Sequence, residues 1–225
     1  MRDHVQKTKF HIVKEPSGKR RSFWMLLPVF GTIIFVALYI IATLLYPGGS
    51  QVNKNAVGFS WINNYWCNLL NDHAINGQHN AARPVALVAM TILCMTLAYF
   101  WYLFPKQINF SKYNRLAIQI AGAISMTIAM FLFTDLHDII INIASLFGLI
   151  SLIGTYAGLY RIKLYKLFWI GMFNVPLVAL NNYVYYSKGL IIYLPVIQKI
   201  SFAFFLFWLC CINIVLYRKT KLDNY

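Results

Sequence analysis

The chain has 225 residues, 60% of them apolar and 12% charged, with twenty Lys and Arg against six Asp and Glu for a formal net charge of +14. A soluble domain of this length needs more polar surface than that, and a nucleic-acid binder needs its cations gathered on one face. Here long apolar runs alternate with short basic connections, a pattern that excludes a water-soluble globule and nucleic acid as a partner.

Residues 1–23 hold Arg2, Lys7, Lys9, Lys14, Lys19, Arg20 and Arg21 and read as a basic cytoplasmic tail. The first apolar stretch, 24–46, is too long for a signal-peptide core and has no small-residue cleavage site before YPGGS, so it reads as a retained helix. Pro47, Gly48 and Gly49 end it. The connection over 47–83 is too long for a mere link and is expected to be structured. Its segment GFSWINNYWCNLL places Trp61, Tyr65 and Trp66 at near-helical spacing, as in a short helix lying at the membrane interface. The next segment, NLLNDHAINGQHN, is densely polar, with Asn71, Asp72, His73, Asn76, Gln78, His79 and Asn80, and its Asn76-Gly77 pair signals a turn.

Five further apolar stretches follow at 84–104, 115–134, 139–160, 167–187 and 193–217, each near the twenty residues that span about 30 Å of hydrocarbon. Pro84 opens the second and Pro105 closes it. Small residues recur at four-residue spacing in the third (Ala117, Ala121, Ser125) and as Gly154 and Gly158 in the fourth, which suits close helix packing or a helix-mediated oligomer. Asn174, Pro176, Asn181 and Asn182 interrupt the fifth, whose polar side should face protein. A short tail, 219–225, ends the chain.

Basic residues recur at Lys106, Lys112 and Arg115, at Arg161, Lys163 and Lys166, and at Arg218, Lys219 and Lys221, all on the side of the first tail. Only Lys54, Arg83, Lys188 and Lys199 fall in the alternate loops. The positive-inside rule then puts both ends in the cytoplasm. The expected architecture is an all-α, polytopic helical bundle with six transmembrane helices over 24–218 and a structured extracytoplasmic loop over 47–83, in a bacterial inner membrane. Cys67, Cys94, Cys210 and Cys211 form no CxxC pair and suggest no disulfide framework.

Of the six acids, Asp72, Asp135 and Asp138 lie at the expected outer level and the other three lie in the tails. The hairpin FTDLHDIIIN adds His137, and a helix starting near Asp135 puts Asp138, Asn142 and Ser145 on one stripe that lipid would not suit. Ionisable groups at membrane depth point to a functional cavity, although a solvated capping turn would also hold them. Asp72, Asp135 and Asp138 are thus candidate catalytic carboxylates, and His79, His137 and Asp135 candidate ligands for zinc or another divalent ion. Such an ion would turn a bound water into a hydroxide nucleophile. Asn64, Asn71, Asn76, Gln78, Asn142, Ser145, Asn181 and Tyr185 supply groups suited to a polar ligand or head group. HExxH, a nucleophile elbow and a phosphate-binding glycine loop are all absent from the sequence.

YPGGS followed by NYWCNLLNDHAINGQHN resembles small bacterial membrane proteins of domain-of-unknown-function families that carry an Asn-Tyr-Ser-Asp-Leu-Gly-like outer motif, with Cys67 and Asn68 standing where that motif has Ser-Asp. More remotely, the outer Asp/His set is similar to the CREST superfamily of membrane hydrolases, which includes alkaline ceramidases and implies zinc held by histidines. The functional expectations, in order, are binding or transport of a polar ligand or lipid head group at the outer face, metal-assisted hydrolysis of a lipid ester or amide, and an accessory or structural role. Membrane lipid is the partner common to all three.

Overall fold

The computed structural model describes residues 23–134 and 136–222, Leu222 without its side chain. Among these residues the fold is helical, with no strand. A 3-10 turn, Trp24–Leu26, runs into α1 (Leu27–Leu45). There follow α2 (Arg83–Leu103), α3 (Lys112–Ala129), α4 (His137–Arg161), α5 (Tyr165–Met172) and α6 (Asn174–Tyr186), and a further 3-10 turn, Ile191–Tyr193, leads into α7 (Leu194–Leu222). The basic tail expected over 1–23 lies outside the described residues except for Phe23, as do Asp135 and residues 223–225.

Counting α5 and α6 as one broken helix gives the expected six segments. Five of them, 22 to 31 residues long, are long and apolar enough to cross a membrane. The exception is α3, whose first turns carry Lys112, Asn114, Arg115 and Gln119 and which stops at Ala129 rather than 134. It still traverses the bundle. Gln119 Nε2 donates to the Tyr102 carbonyl near the end of α2, and Ser125 Oγ donates to the Ala144 carbonyl in the opening turns of α4. At α3's 18 residues and about 1.5 Å per residue that path is about 27 Å. At the opposite end from the loops, Thr220 Oγ1 lies 3.6 Å from Met25 Sδ, so the start of α1 and the end of α7 share one end of the bundle.

Small residues set the helix separations. A Cβ on Gly154 would fall 2.4 Å from Ile118 Cγ1, and one on Gly158 would fall 2.5 Å from Ile108 Cδ1. The glycine pair, which suited close helix packing or a helix-mediated oligomer, packs α4 against its own neighbours. Ser151 Oγ, which donates to the Ile118 carbonyl at 2.9 Å, ties the same face. Of the small residues on α3, Ala121 and Ser125 are buried and Ala117 is exposed.

Pro176 has no N–H for the Met172 carbonyl, and the chain turns at Phe173, dividing α5 from α6. At the same break two side chains take the carbonyl one residue earlier: Tyr156 Oη at 2.8 Å and Asn174 Nδ2 at 2.9 Å both donate to Gly171 O. Asn174 and Asn181 face protein as expected. Asn182 does not; it is exposed and satisfies itself by donating to the Val178 carbonyl one turn back.

Exposed Ile, Val, Leu, Phe and Tyr side chains run along α1, α4, α6 and α7, a surface suited to hydrocarbon rather than water.

Candidate functional site

The motif YPGGS is where the outer loop is knotted together. Gly48 and Gly49 adopt φ of 150° and 82°, conformations that disfavour side chains. Their backbones lie so close to two other strands of the loop that a Cβ would fall 2.4 Å from Ala56 O at Gly48 and 2.4 Å from Asn76 N at Gly49. Gly49 N donates to Ala56 O at 2.7 Å, Gly58 N to Pro47 O at 3.3 Å and Asn76 N to Gly48 O at 3.3 Å. Tyr46 Oη accepts from Ile75 N at 3.0 Å and so ties the end of α1 to the polar segment.

From this knot the chain descends between the helices. The segment expected as an interfacial helix is instead a five-residue 3-10 helix, Trp66–Leu70, with Asn68, Leu69 and Leu70 buried. Trp66 packs on Phe35, Tyr39 and Phe202, with ring centroids 6.1, 5.1 and 5.2 Å away. Phe35 lies about 15 Å along α1 from its loop end, at the usual rise per residue, so the loop packs in among the helices rather than over their ends. Of the three rings expected on the interfacial helix, Trp61 alone is exposed.

Irregular backbone at such depth persists only where protein satisfies its polar groups, each unsatisfied one costing about 1–3 kcal/mol. The asparagines meet that demand. Asn80, fully buried, donates through Nδ2 to the carbonyls of Asn68, Leu69 and Asn71 at 3.1, 3.2 and 2.9 Å and accepts from Ala82 N at 3.2 Å. Asn64, also fully buried, accepts from Ser60 N at 2.9 Å and donates to Gly49 O at 2.8 Å. Asn68 Oδ1 accepts from Tyr65 N at 2.7 Å. Arg83 Nε donates to Leu70 O at 3.1 Å, and Lys199 Nζ, from α7, donates to Asn64 O at 2.5 Å.

The remaining expected site residues are dispersed. Asn71 and Gln78 are exposed, and Asn76 Oδ1 accepts from Gln78 N at 3.0 Å, closing the turn signalled by Asn76-Gly77. His73 and His79 face each other across that hairpin with ring centroids 6.4 Å apart, both exposed. Asp72 is ion-paired with Arg83 at the surface. The hairpin after α3 comes to the same end of the bundle, since the Arg83 guanidinium lies 6.0 Å from the Phe133 ring centroid. There His137 Nδ1 meets Asp138 Oδ1 at 3.2 Å. Asn142 and Ser145, expected to face a cavity, are exposed instead, and Asn142 Nδ2 bonds back to Asp138 O at 2.8 Å, which satisfies its donor within its own helix. Asn181 Nδ2 donates to Ser201 Oγ at 2.6 Å and Leu177 O at 2.8 Å, and Tyr185 is exposed beside Tyr186. Among the described residues no three His, Cys, Asp or Glu side chains gather closely enough to hold a metal ion. Asp135, named both as catalytic and as a metal ligand, lies outside the described residues.

No protein-family model, curated protein or solved structure matches this chain.

A cleft lies between the long loop and the start of α7. Its volume is about 360 Å³, and Gln51, Val52, Asn63, Tyr65, Ile191, Ile192 and Pro195 line it. None of the candidate site residues read from sequence lines its walls, although Asn64 lies between two residues that do. Lys199 stands one turn below Pro195 and bonds its carbonyl at 3.0 Å. The sequence does contain a signal for this place: Lys199 is a cation six residues inside the last apolar stretch, 193–217, where a charge is costly without a purpose. Nearby Cys67 is part-buried and free. Burial pushes its thiol above the ordinary range, Asp138 adds to that rise, and the Lys199 charge opposes it.

Proposed function

We propose that this chain is a multi-pass protein of a bacterial inner membrane, both ends cytoplasmic, that binds a lipid head group or similarly amphiphilic ligand at its extracytoplasmic face. The observation that supports the reading most directly is the cleft of about 360 Å³ between the knotted loop and α7, mostly apolar in its walls, with Gln51, Asn63 and Tyr65 as its polar groups. Ligand sites are commonly of this size and make-up. The loop's rigidity adds to the case, because a wall held by Asn64, Asn68 and Asn80 is already ordered before a ligand arrives.

Thermal unfolding of the detergent-purified protein, titrated with membrane lipids and polar solutes, tests the reading. Lipid is expected to raise Tm, and Ile192→Trp, which fills the cleft from a partly exposed wall, to remove the increment. A Tm unmoved by every compound, or an increment that Ile192→Trp leaves intact, would overturn it. Orientation is tested separately with single cysteines at positions 54 and 163 in intact cells, where an impermeant thiol reagent should label the first and spare the second.

A further inference from the structure

Lys199 anchors the loop from α7, and its surroundings are unusual for a charge inside an apolar helix. Its ammonium donates to two carbonyls, Asn64 O and Pro195 O. An ammonium has three N–H donors, and no acceptor among the described residues takes the third. Among the described residues Asp72 pairs with Arg83 and Asp138 contacts the His137 ring, and no carboxylate lies within 4 Å of Lys199. Phe59 lies 5.7 Å away as a ring face rather than a counter-charge.

Lys199, with no carboxylate paired to it among the described residues, lies just behind the wall of the cleft rather than in its lining. Pro195 lines the cleft and accepts from Lys199, while Asn64 lies between Asn63 and Tyr65, which line it too. Val52, Ile191 and Ile192 give the opening an apolar rim, all three exposed. An amphiphile with an apolar body and an anionic head matches both features at once. A neutral solute would leave the charge unmet, and a free anion would leave the apolar walls wet.

We infer that the cleft between the outer loop and α7 binds a phosphate-bearing anionic phospholipid of the surrounding bilayer, its head group held by Lys199 and its glycerol and upper acyl region seated against Val52, Ile191 and Ile192. The inference deepens the proposed head-group binding and rests on the cleft being a ligand site.

Native mass spectrometry of the full chain, titrated with phosphatidylglycerol, phosphatidylcholine or inorganic phosphate, tests it. Both lipids carry a phosphodiester, but the choline cation of phosphatidylcholine offsets its negative charge and is repelled by Lys199, so phosphatidylglycerol should bind about tenfold more tightly. In Lys199→Gln, whose amide still donates to the loop carbonyl, the two lipids should bind equally, and Lys199→Arg should restore the preference. Ile192→Trp, with the charge intact, should weaken both lipids. Equal binding of the two lipids by the wild-type protein, or a preference that survives Lys199→Gln, overturns the anionic assignment; if Ile192→Trp still weakens binding, the head-group reading itself survives. Loss of neither lipid in Ile192→Trp overturns both. Millimolar inorganic phosphate that displaces phosphatidylglycerol completely would make the ligand a free anion and overturn the lipid. Should Lys199→Gln fail to fold, Ile192→Trp and Lys199→Arg still decide the matter.

Discussion

The outer loop and the hairpin between α3 and α4 lie at the same end of the bundle, and both are rich in polar residues, yet they use them in opposite ways. In the loop Asn64, Asn68 and Asn80 are buried and turned onto backbone, where they hold a segment packed in beside Phe35. In the hairpin and the first turns of α4, Asp138, Asn142 and Ser145 are exposed and the amide of Asn142 is spent on its own helix. Similar side chains thus act as scaffold in one region and as surface in the other. The difference follows from backbone: a helix satisfies its own carbonyls, whereas an irregular segment borrows donors from side chains.

Substitutions can break or sharpen that contrast. The largest effect is expected at the knot. Gly49→Ala should lose about 3 kcal/mol or more, because the backbone conformation disfavours a side chain and the added methyl meets Asn76 N and Ile75. Asn80→Ala should follow at about 3 kcal/mol, since it strips a donor from three carbonyls and leaves Ala82 N without its acceptor. Denaturant unfolding in detergent measures both, and a cost below 1 kcal/mol for either would show that the loop does not depend on these groups.

Cys67 probes how closely the two regions approach. In a background lacking the other three cysteines it should react with a thiol reagent more slowly than a free cysteine, because burial disfavours the thiolate. The sign is fixed: a raised thiol pKa leaves less thiolate at any given pH below it, and the rate should climb about tenfold per pH unit there. Asp138→Asn removes a charge that opposes the thiolate and should speed labelling modestly. An unchanged rate would place the hairpin too far from the loop to influence it.

Smaller effects belong to the surface. Asp72→Asn should cost under about 1 kcal/mol, and less at high salt, because the Asp72 side chain is 64% exposed in its pair with Arg83. Asn142→Ala should change stability by no more than about 0.5 kcal/mol. A loss of several kcal/mol at Asn142 would mean that α4 is covered there by something beyond this chain.

The helical frame was legible because its signal is local. Twenty apolar residues between basic connections, Pro84 and Pro105 at helix ends and Pro176 inside the fifth segment each act through nearby backbone. Close packing at Gly154 and Gly158 was legible too, but not the partner, since a small residue tells of near approach without telling by whom. The candidate site was read less well. His79 and Asp72 share a segment with Asn80, and nothing in their spacing distinguishes a residue that turns inward to hold carbonyls from one left in solvent.

What the sequence determined by itself was the solvent of this protein and its number of helical segments, because transfer of apolar side chains out of water and the periodic self-satisfaction of helical backbone depend on composition and short spacing. Only the tertiary structure decided that the outer loop descends into the bundle, that its asparagines serve its backbone, and that Lys199 meets the loop beside an apolar cleft. Those outcomes depend on donors and acceptors as much as 135 residues apart, and no local pattern carries that pairing.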